Sequence, residues 1–360
     1  MSIVIFILLL VGLIIVHECG HFFAAKLFGI RVDELGIGFP PRLVGRRFGE
    51  TVYSINWLPL GGFVRIFGER ADEGKGDPRS FSGSSLWVQA VVVAAGVLCN
   101  FLFAWLILSA GFMAGLPTVL DGTESGVVRD VQVTVLQVSP DSPAQAAGFL
   151  PGDVVTHIRA GDETLPRDSS SAAARAFIGA HDETLTLTLL REGTEMELSA
   201  APAMGVVEGR KALGITLEDL GIVSYAPLQA LYQGGALTWL ILEDTAKGLW
   251  NFGATLFSGR ADFTNVAGPV GIAQVGGAAV SAGYASALLL VAVISINLGL
   301  INLIPVPGLD GGRLVFIAVE AVKGSPVSDR LTVGLTVMGF VLLAALMLLV
   351  TYHDLIRILG

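Results

Sequence analysis

Residues 3–28 read IVIFILLLVGLIIVHECGHFFAAKLF, and Ile3 to Ile15 is an unbroken run of thirteen apolar or glycine residues. A helix needs about 20 predominantly apolar residues to cross a bilayer, and this stretch supplies them. A secretory signal would open with positive charge, whereas the first Lys or Arg is Lys26 and the apolar pattern continues through Phe28. A retained transmembrane helix is therefore expected. Into it the sequence sets His17, Glu18 and His21, and ionisable side chains at membrane depth are costly enough to mark function. His17 and His21 lie one helical turn apart on one face, with Glu18 beside them. In this HExxH spacing two imidazoles hold zinc and the carboxylate takes a proton from water. A histidine pair satisfied by hydrogen bonds in a bundle core is the competing reading. Cys19 points away from that face as a packing residue, and with Cys99 also in an apolar run no disulfide framework is implied.

The composition agrees. Hydrophobic residues make up 53% of the 360, charged residues only 15%, and mean hydropathy is +0.71, which excludes an ordinary water-soluble globule. Uncharged stretches recur within 86–116, 263–309 and 331–352. The expected architecture is a polytopic α-helical membrane protein of about four transmembrane helices, with a membrane-associated β-hairpin and one inserted extracytoplasmic β-rich domain. Segment 29–85 carries Arg31, Arg42, Arg46, Arg47, Arg65, Arg70, Lys75 and Arg79, so the positive-inside bias puts it in the cytoplasm and the inserted domain outside. The formal charge of −9 resides in that domain, where residues 117–220 hold 16 acidic against 7 basic side chains. Such a surface repels phosphodiester backbones, and no nucleic-acid partner is expected.

Along the chain, 1–28 is the first span. Within 29–85, Thr51–Phe67 holds two β-prone runs separated by Pro59, Gly61 and Gly62, expected to form a hairpin or re-entrant loop, and Ala71–Ser85 is a polar linker. The second span is 86–116, and 127–203 is the β-rich domain. Residues 226–258 mix Leu240, Leu249, Trp250 and Phe257 with Glu243, Asp244 and Lys247, the pattern of an amphipathic interfacial helix. Phe263–Gly283, rich in Gly and Ala, reads as a flexible approach. The third span and its following loop are 285–312, broken at Pro305 and Pro307, and the fourth is 331–352. A catalytic zinc usually takes three protein ligands. His157, His181 and His353 lie away from the cytoplasmic half of the first helix, so Asp310 is the candidate third ligand by elimination. Its non-helical surroundings are tolerated at membrane depth only around a cavity or inside protein.

HECGH at 17–21, PLGGFVRIFGE at 59–69, Gly96-Val-Leu-Cys-Asn100 and NLIPVPGLDGGR at 302–313 together resemble the site-2 intramembrane metalloproteases, in particular the regulator-of-sigma-E protease branch. Ser142-Pro143-Ala144, Ala147-Gly148-Phe149 and Gly152-Asp153 resemble a PDZ domain of the bacterial protease type. The chain departs in having room for one PDZ-like domain where relatives usually have two, and in Val97 where the motif often has proline. The resemblance implies a zinc-dependent endopeptidase that cuts within transmembrane segments, in a bacterial cytoplasmic membrane with its active site toward the cytoplasmic side. Its cofactor would be one Zn2+ per chain on His17, His21 and Asp310, with Glu18 as general base. It tilts Asn297 and Asn302 toward substrate contact rather than interhelical hydrogen bonding, and leaves Asn100 as a support or lining residue. The strand edge with Val64 and Arg65 would hold an unwound substrate by β-addition, unless that loop is purely structural. Implied partners are single-span membrane proteins, such as an anti-sigma factor or a leftover signal peptide, and the lipid bilayer. The PDZ-like domain would exclude large ectodomains, read a C-terminal peptide, or act as a plain spacer. Two other classes compete. A scaffold with a structural metal would want four protein ligands and no Glu18, and a transporter would show a repeat between its halves, which is not seen.

Overall fold

The computed structural model describes residues 2–69, 77–191, 193–207, 210–258 and 268–359. It divides into two compact units, Met1–Ala110 with Leu231–Gly360, and Gly111–Ala230.

The first unit opens with α1 (Ser2–Leu27), β1 (Val32–Phe48), β2 (Thr51–Ile66) and α2 (Leu86–Ala114). α1 and α2 touch backbone to backbone: a Cβ on Gly20 would lie 2.7 Å from the Ala95 carbonyl carbon and 2.8 Å from Gly96 Cα. Small residues let helices approach this closely in lipid, where no hydrophobic force draws them together. The hairpin differs from the expected one. Leu35 opposes both Val64 and Tyr53, Ile37 opposes both Gly62 and Ile55, and Val44 pairs with Ile55 from the far side. Both strands thus fold over midway, and the spatial order is 42–48, 51–58, 32–37, 62–66. The two runs of 51–67 pair not with each other but across 32–37, which glycines at 36 and 38 disguise as a poor strand former. Residues 62–66 form an edge. The stretch 77–85 is more than a linker, since Phe81 N–H donates to Phe67 O at 2.8 Å and its ring is buried with Phe22, Ile30, Val32 and Ile66. Part of the expected linker, 71–76, lies outside the described residues.

The second unit comprises β3 (Leu116–Val119), β4 (Val127–Val138), α3 (Pro143–Ala147), β5 (Val154–Ala160), β6 (Glu163–Leu165), α4 (Ser171–Ala180), β7 (Leu185–Arg191), β8 (Thr194–Ala200), β9 (Ala203–Val207), β10 (Arg210–Ala212) and β11 (Ile215–Ser224). The main sheet runs β3-β11-β4-β5-β7-β8. It exceeds the expected 127–203, because β11 pairs along the length of β4, from Ile215 opposite Val138 to Ser224 opposite Val127. α3 starts where Ser142 Oγ accepts the Gln145 N–H at 3.2 Å, an N-cap followed by proline in the first turn. β7 alternates buried Leu185, Leu187 and Leu189 with half-buried residues, and these leucines fill the core with Val135, Phe149 and Leu217. Asp153, 1% exposed, accepts from Arg191 at 2.6 and 2.7 Å and from the Leu150 N–H. Burial pushes its carboxyl up, but the Arg191 hydrogen bonds, the Leu150 N–H and the Arg191 charge together outweigh that and hold it below the usual carboxylate range.

Then follow α5 (Pro227–Phe257), α6 (Pro269–Ser281), α7 (Tyr284–Leu303), α8 (Asp310–Lys323) and α9 (Asp329–Leu359). Among the described residues four helical segments are long and apolar enough to cross a membrane, Ile5–Leu27, Leu86–Ala114, Tyr284–Leu303 and Arg330–Ile356. α5 is not one of them. Its Leu237, Ile241 and Leu242 pack on Ala104, Leu108, Ala292 and Ile296, and Trp105 Nε1–H donates to Leu231 O at 2.8 Å. α6 replaces the expected flexible approach over 268–283, while 259–267 lies outside the described residues. Asp354 accepts the Gly271 N–H at 2.8 Å, and Gly276 seats the Phe6 ring of α1, so the small residues serve close packing rather than mobility. α8 had no counterpart in the expected layout, which ended the third element at 312. Its Leu314 and Ile317 join the core around Phe22 and Val92, and it ends at Gly324 with φ 71°, the left-handed cap that favours glycine.

Candidate metal centre

α1 carries His17, Glu18 and His21, and Asp310 is the first residue of α8. A Cβ on Gly311 would strike the Leu303 and Ile304 carbonyls, so glycine is what lets α8 restart tight against the end of α7 and return Asp310 toward α1. His17 Nε2 and His21 Nε2 are 3.2 Å apart, and Asp310 Oδ2 lies 3.1 and 3.4 Å from them. Ligand atoms about 2.05 Å from a tetrahedral zinc stand about 3.3 Å from one another, which is the size of this triangle. Asp310 Oδ2 is buried without a hydrogen-bond partner among the described residues, and such an acceptor is costly unless a cation or donor completes it. The donor set therefore fits zinc.

The groups behind the rings fix which nitrogen points inward. His21 Nδ1–H donates to Val92 O at 2.9 Å, leaving Nε2 as the free acceptor. The Asn100 amide, 0% exposed, stands 3.2 Å from His17 Nδ1, and its Oδ1 is also buried without a hydrogen-bond partner among the described residues. Turning that amide by 180° lets Oδ1 accept the Nδ1–H, which satisfies the orphan oxygen and frees His17 Nε2 for metal. Gly96 permits the arrangement, since a Cβ there would lie 2.6 Å from His21 Cε1 and 2.8 Å from His17 Cε1. Neither cysteine joins the ligand set.

Glu18, Ile14, Val64, Asn302, Leu309 and Asp310 are among the residues lining a cleft of about 290 Å³. The edge segment 62–66 passes over the carboxylate, with a Cβ built on Gly62 only 3.4 Å from Glu18 Cγ. Val64, Ile66 and Glu69 also line a neighbouring groove of about 660 Å³ with Phe39 and Phe63, so a trough follows the edge from Phe39 to the metal ligands. The expected substrate residues separate here. Asn302 and Val64 face the cleft, Asn297 is half-buried and not in its lining, and Asn100 stands behind His17. Arg65 lines the neighbouring groove but not the metal cleft, and its half-exposed side chain places Nη1 3.4 Å from Glu34 Oε2. Sequence reasoning missed Glu34, Val92 and the Arg313–Glu69 ion pair, in which Arg313 also lies 4.4 Å over the Phe81 ring at the cleft margin. Beyond the four candidate spans, Glu50 in the β1–β2 turn accepts from Lys26 at 2.7 Å and from Arg79, and these two cations lower its carboxyl to about 2.

Residues 5–346 match the profile of peptidase family M50. The chain belongs to that family. A protein of Rhizobium meliloti (strain 1021), named as a candidate zinc metalloprotease, is 34% identical over 99% of this chain and 96% of its own. Another so named, from Clostridium acetobutylicum, is 32% identical over 99% and 97%. Protease RseP of Yersinia pestis is 30% identical over 99% of both chains, in an alignment of 454 positions, a small domain's worth more than 360 residues supply. Two crystal structures of PDZ domains from SdrC-like proteins, of Listeria innocua and Listeria monocytogenes, are 24% and 22% identical, cover 24% and 27% of this chain and 92% and 93% of their own, and give TM-scores of 0.20. This M50 chain is a zinc metalloprotease of the site-2 type and a membrane protein.

Proposed function

We propose that this M50 protease cleaves peptide bonds inside the transmembrane segments of single-span proteins in the bacterial cytoplasmic membrane, using one zinc per chain held by His17, His21 and Asp310. The observation that carries the reading is a three-donor triangle with one carboxylate, Glu18, beside it and a strand edge over the same cleft. Zinc bound there supplies Lewis acidity, lowering the pKa of a water toward about 7 and polarising a carbonyl. Glu18 accepts a proton from the attacking water as its oxygen bonds the carbonyl carbon, and returns it to the nitrogen as the C–N bond breaks, giving a carboxylic acid and an amine, between which the second water proton then passes to leave carboxylate and ammonium. Val92 and Asn100 hold the imidazoles in the tautomer that points Nε2 inward.

A transmembrane helix hides its carbonyls in its own hydrogen bonds, so the substrate must unwind before attack. The edge of 62–66 receives the unwound stretch as an added strand, Asn302 orients it, and lipid reaches the helices from outside. The acidic PDZ-like unit lies outside the cytoplasm and excludes substrates with large ectodomains.

A purified single-span reporter incubated with wild-type protein should yield two fragments whose new termini fall within its apolar segment. Glu18→Gln should retain zinc and lose cleavage by at least a hundredfold, on the order of a lost general base. A zinc-loaded Glu18→Gln protein with full activity would overturn the assignment.

A further inference from the structure

We propose that Glu34 is a positioning residue that sets the register of the substrate-receiving edge strand; the inference rests on the β-addition reading above. Segment 62–66 is ambiguous as a strand. Gly62, Val64 and Ile66 form one face and Phe63 and Arg65 the other, so apolar side chains occur on both and hydrophobicity alone does not say which faces the cleft. A slip of one residue would exchange the faces, putting Phe63 and Arg65 over Glu18. The glycines at 61 and 62 weaken the ladder further, and its pairing breaks register once, between Val32 opposite Ile66 and Glu34 opposite Arg65.

Glu34 resolves the ambiguity by charge. It sits on the central segment, its side chain 5% exposed, and draws one partner from each of the other three segments. Oε1 accepts from Arg42 Nη2 at 2.7 Å and from Ser54 Oγ at 2.7 Å, and Oε2 faces Arg65 Nη1 at 3.4 Å. A desolvated carboxylate is costly without cations, so Arg65 is drawn to the Glu34 face and Val64 is left facing the cleft.

The test uses the full chain in detergent with the single-span reporter, a photo-crosslinker in place of Val64, zinc content and a thermal melt. Glu34→Gln and Arg65→Met should each keep zinc and melting temperature, lower crosslinking to the reporter, and reduce kcat/KM about ten- to a hundredfold, as misplacement by about 1 Å does, with most of the loss in KM. Arg65→Lys should restore most of it, and the double variant should be no worse than either single, because both remove one interaction. Wild-type cleavage by both singles, or loss of zinc in Glu34→Gln, would overturn the proposal. Val64→Pro separates this from the underlying reading. If it slows cleavage while Glu34→Gln does not, only the role of Glu34 fails; if it leaves cleavage unchanged, β-addition itself fails.

Discussion

Gly96→Ala adds one methyl group where the structure leaves no room. The new Cβ would sit 2.6 Å from His21 Cε1 and 2.8 Å from His17 Cε1, whereas ordinary contact begins at 3.4 Å. One ring or one helix must therefore move by at least about 0.8 Å, because His21 Nε2 lies closer still. Moving the helix means separating α1 from α2 where Gly20 already lies against the Ala95 and Gly96 backbones, and overpacking of that kind costs about 1–3 kcal/mol. Moving a ring displaces a ligand nitrogen by several times the ±0.2 Å or so that a zinc site tolerates. Either way zinc affinity should fall at least tenfold and more nearly a hundredfold, the range seen when a ligand's supporting shell is lost. The assay is zinc retained per chain against a graded chelator, with a thermal melt in parallel. Gly20→Ala is the control, since it disturbs the same helix crossing without touching either ring and should lower the melt while holding zinc more tightly than Gly96→Ala. A Gly96→Ala protein with wild-type zinc affinity would refute the reasoning, because the triangle would then be looser than its distances imply.

Removing a ligand should act more strongly: His21→Ala and Asp310→Asn should each abolish stoichiometric zinc by elemental analysis, and retention in both would place the metal elsewhere. Asn100→Leu should weaken zinc about ten- to a hundredfold by leaving His17 Nδ1 without a partner, whereas Asn100→Asp, which keeps an acceptor oxygen, should hold it; equal loss in both would deny the hydrogen bond its role. The folded state of the second unit lowers the Asp153 carboxyl, so its stabilisation is complete above the unfolded value of about 3.9 and is lost as pH falls through the lower folded one. Hydrogen exchange in β5 and β7, corrected for intrinsic rates, should show flat protection from about pH 7 to 5 and a decline below about 4. Asp153→Asn should remove that acid decline and, by taking away the buried carboxylate beside Arg191, lower protection at neutral pH by about 2–3 kcal/mol, less than for a fully buried pair because Arg191 is 25% exposed and keeps its bond to Gly148 O. A wild-type acid decline in Asp153→Asn would assign it to another group.

The metal triangle was legible because each of its parts leaves a strong local signal. A His–Glu–His turn inside an apolar helix has no cheap structural explanation, and Asp310 was the remaining ionisable group at that depth. The four-segment sheet was not legible, because its central strand carries Gly36, Gly38 and a charged Glu34 where β-prone residues would announce it. α6 was misread because Gly and Ala signal flexibility in water and close packing in a bilayer, and composition does not distinguish them. α8 did leave a trace, the spacing of Leu314, Ile317 and Ala321 before Gly324, obscured by the Pro-Gly bend that precedes it. The separation of Val64 from Arg65 depended on knowing that Glu34 lay beneath, a contact across 31 residues that no local pattern carries.

Under the β-addition proposal, the edge segment at 62–66 also bears on which membrane proteins would be cut. A strand edge offers pairing groups at every second residue, so a segment of this length can satisfy only about half of the amides that a substrate helix releases over the same span. The remainder go to water in the trough or to a side chain such as Asn302, and hydrocarbon offers them nothing. The imbalance falls on the substrate as the work of opening its helix, which is smallest where glycine or proline has already weakened it, by about 1 and 3 kcal/mol per residue relative to alanine. On this account the enzyme selects a place along a helix more than a sequence of side chains, and an apolar segment without such a weak point should resist cleavage even when it docks.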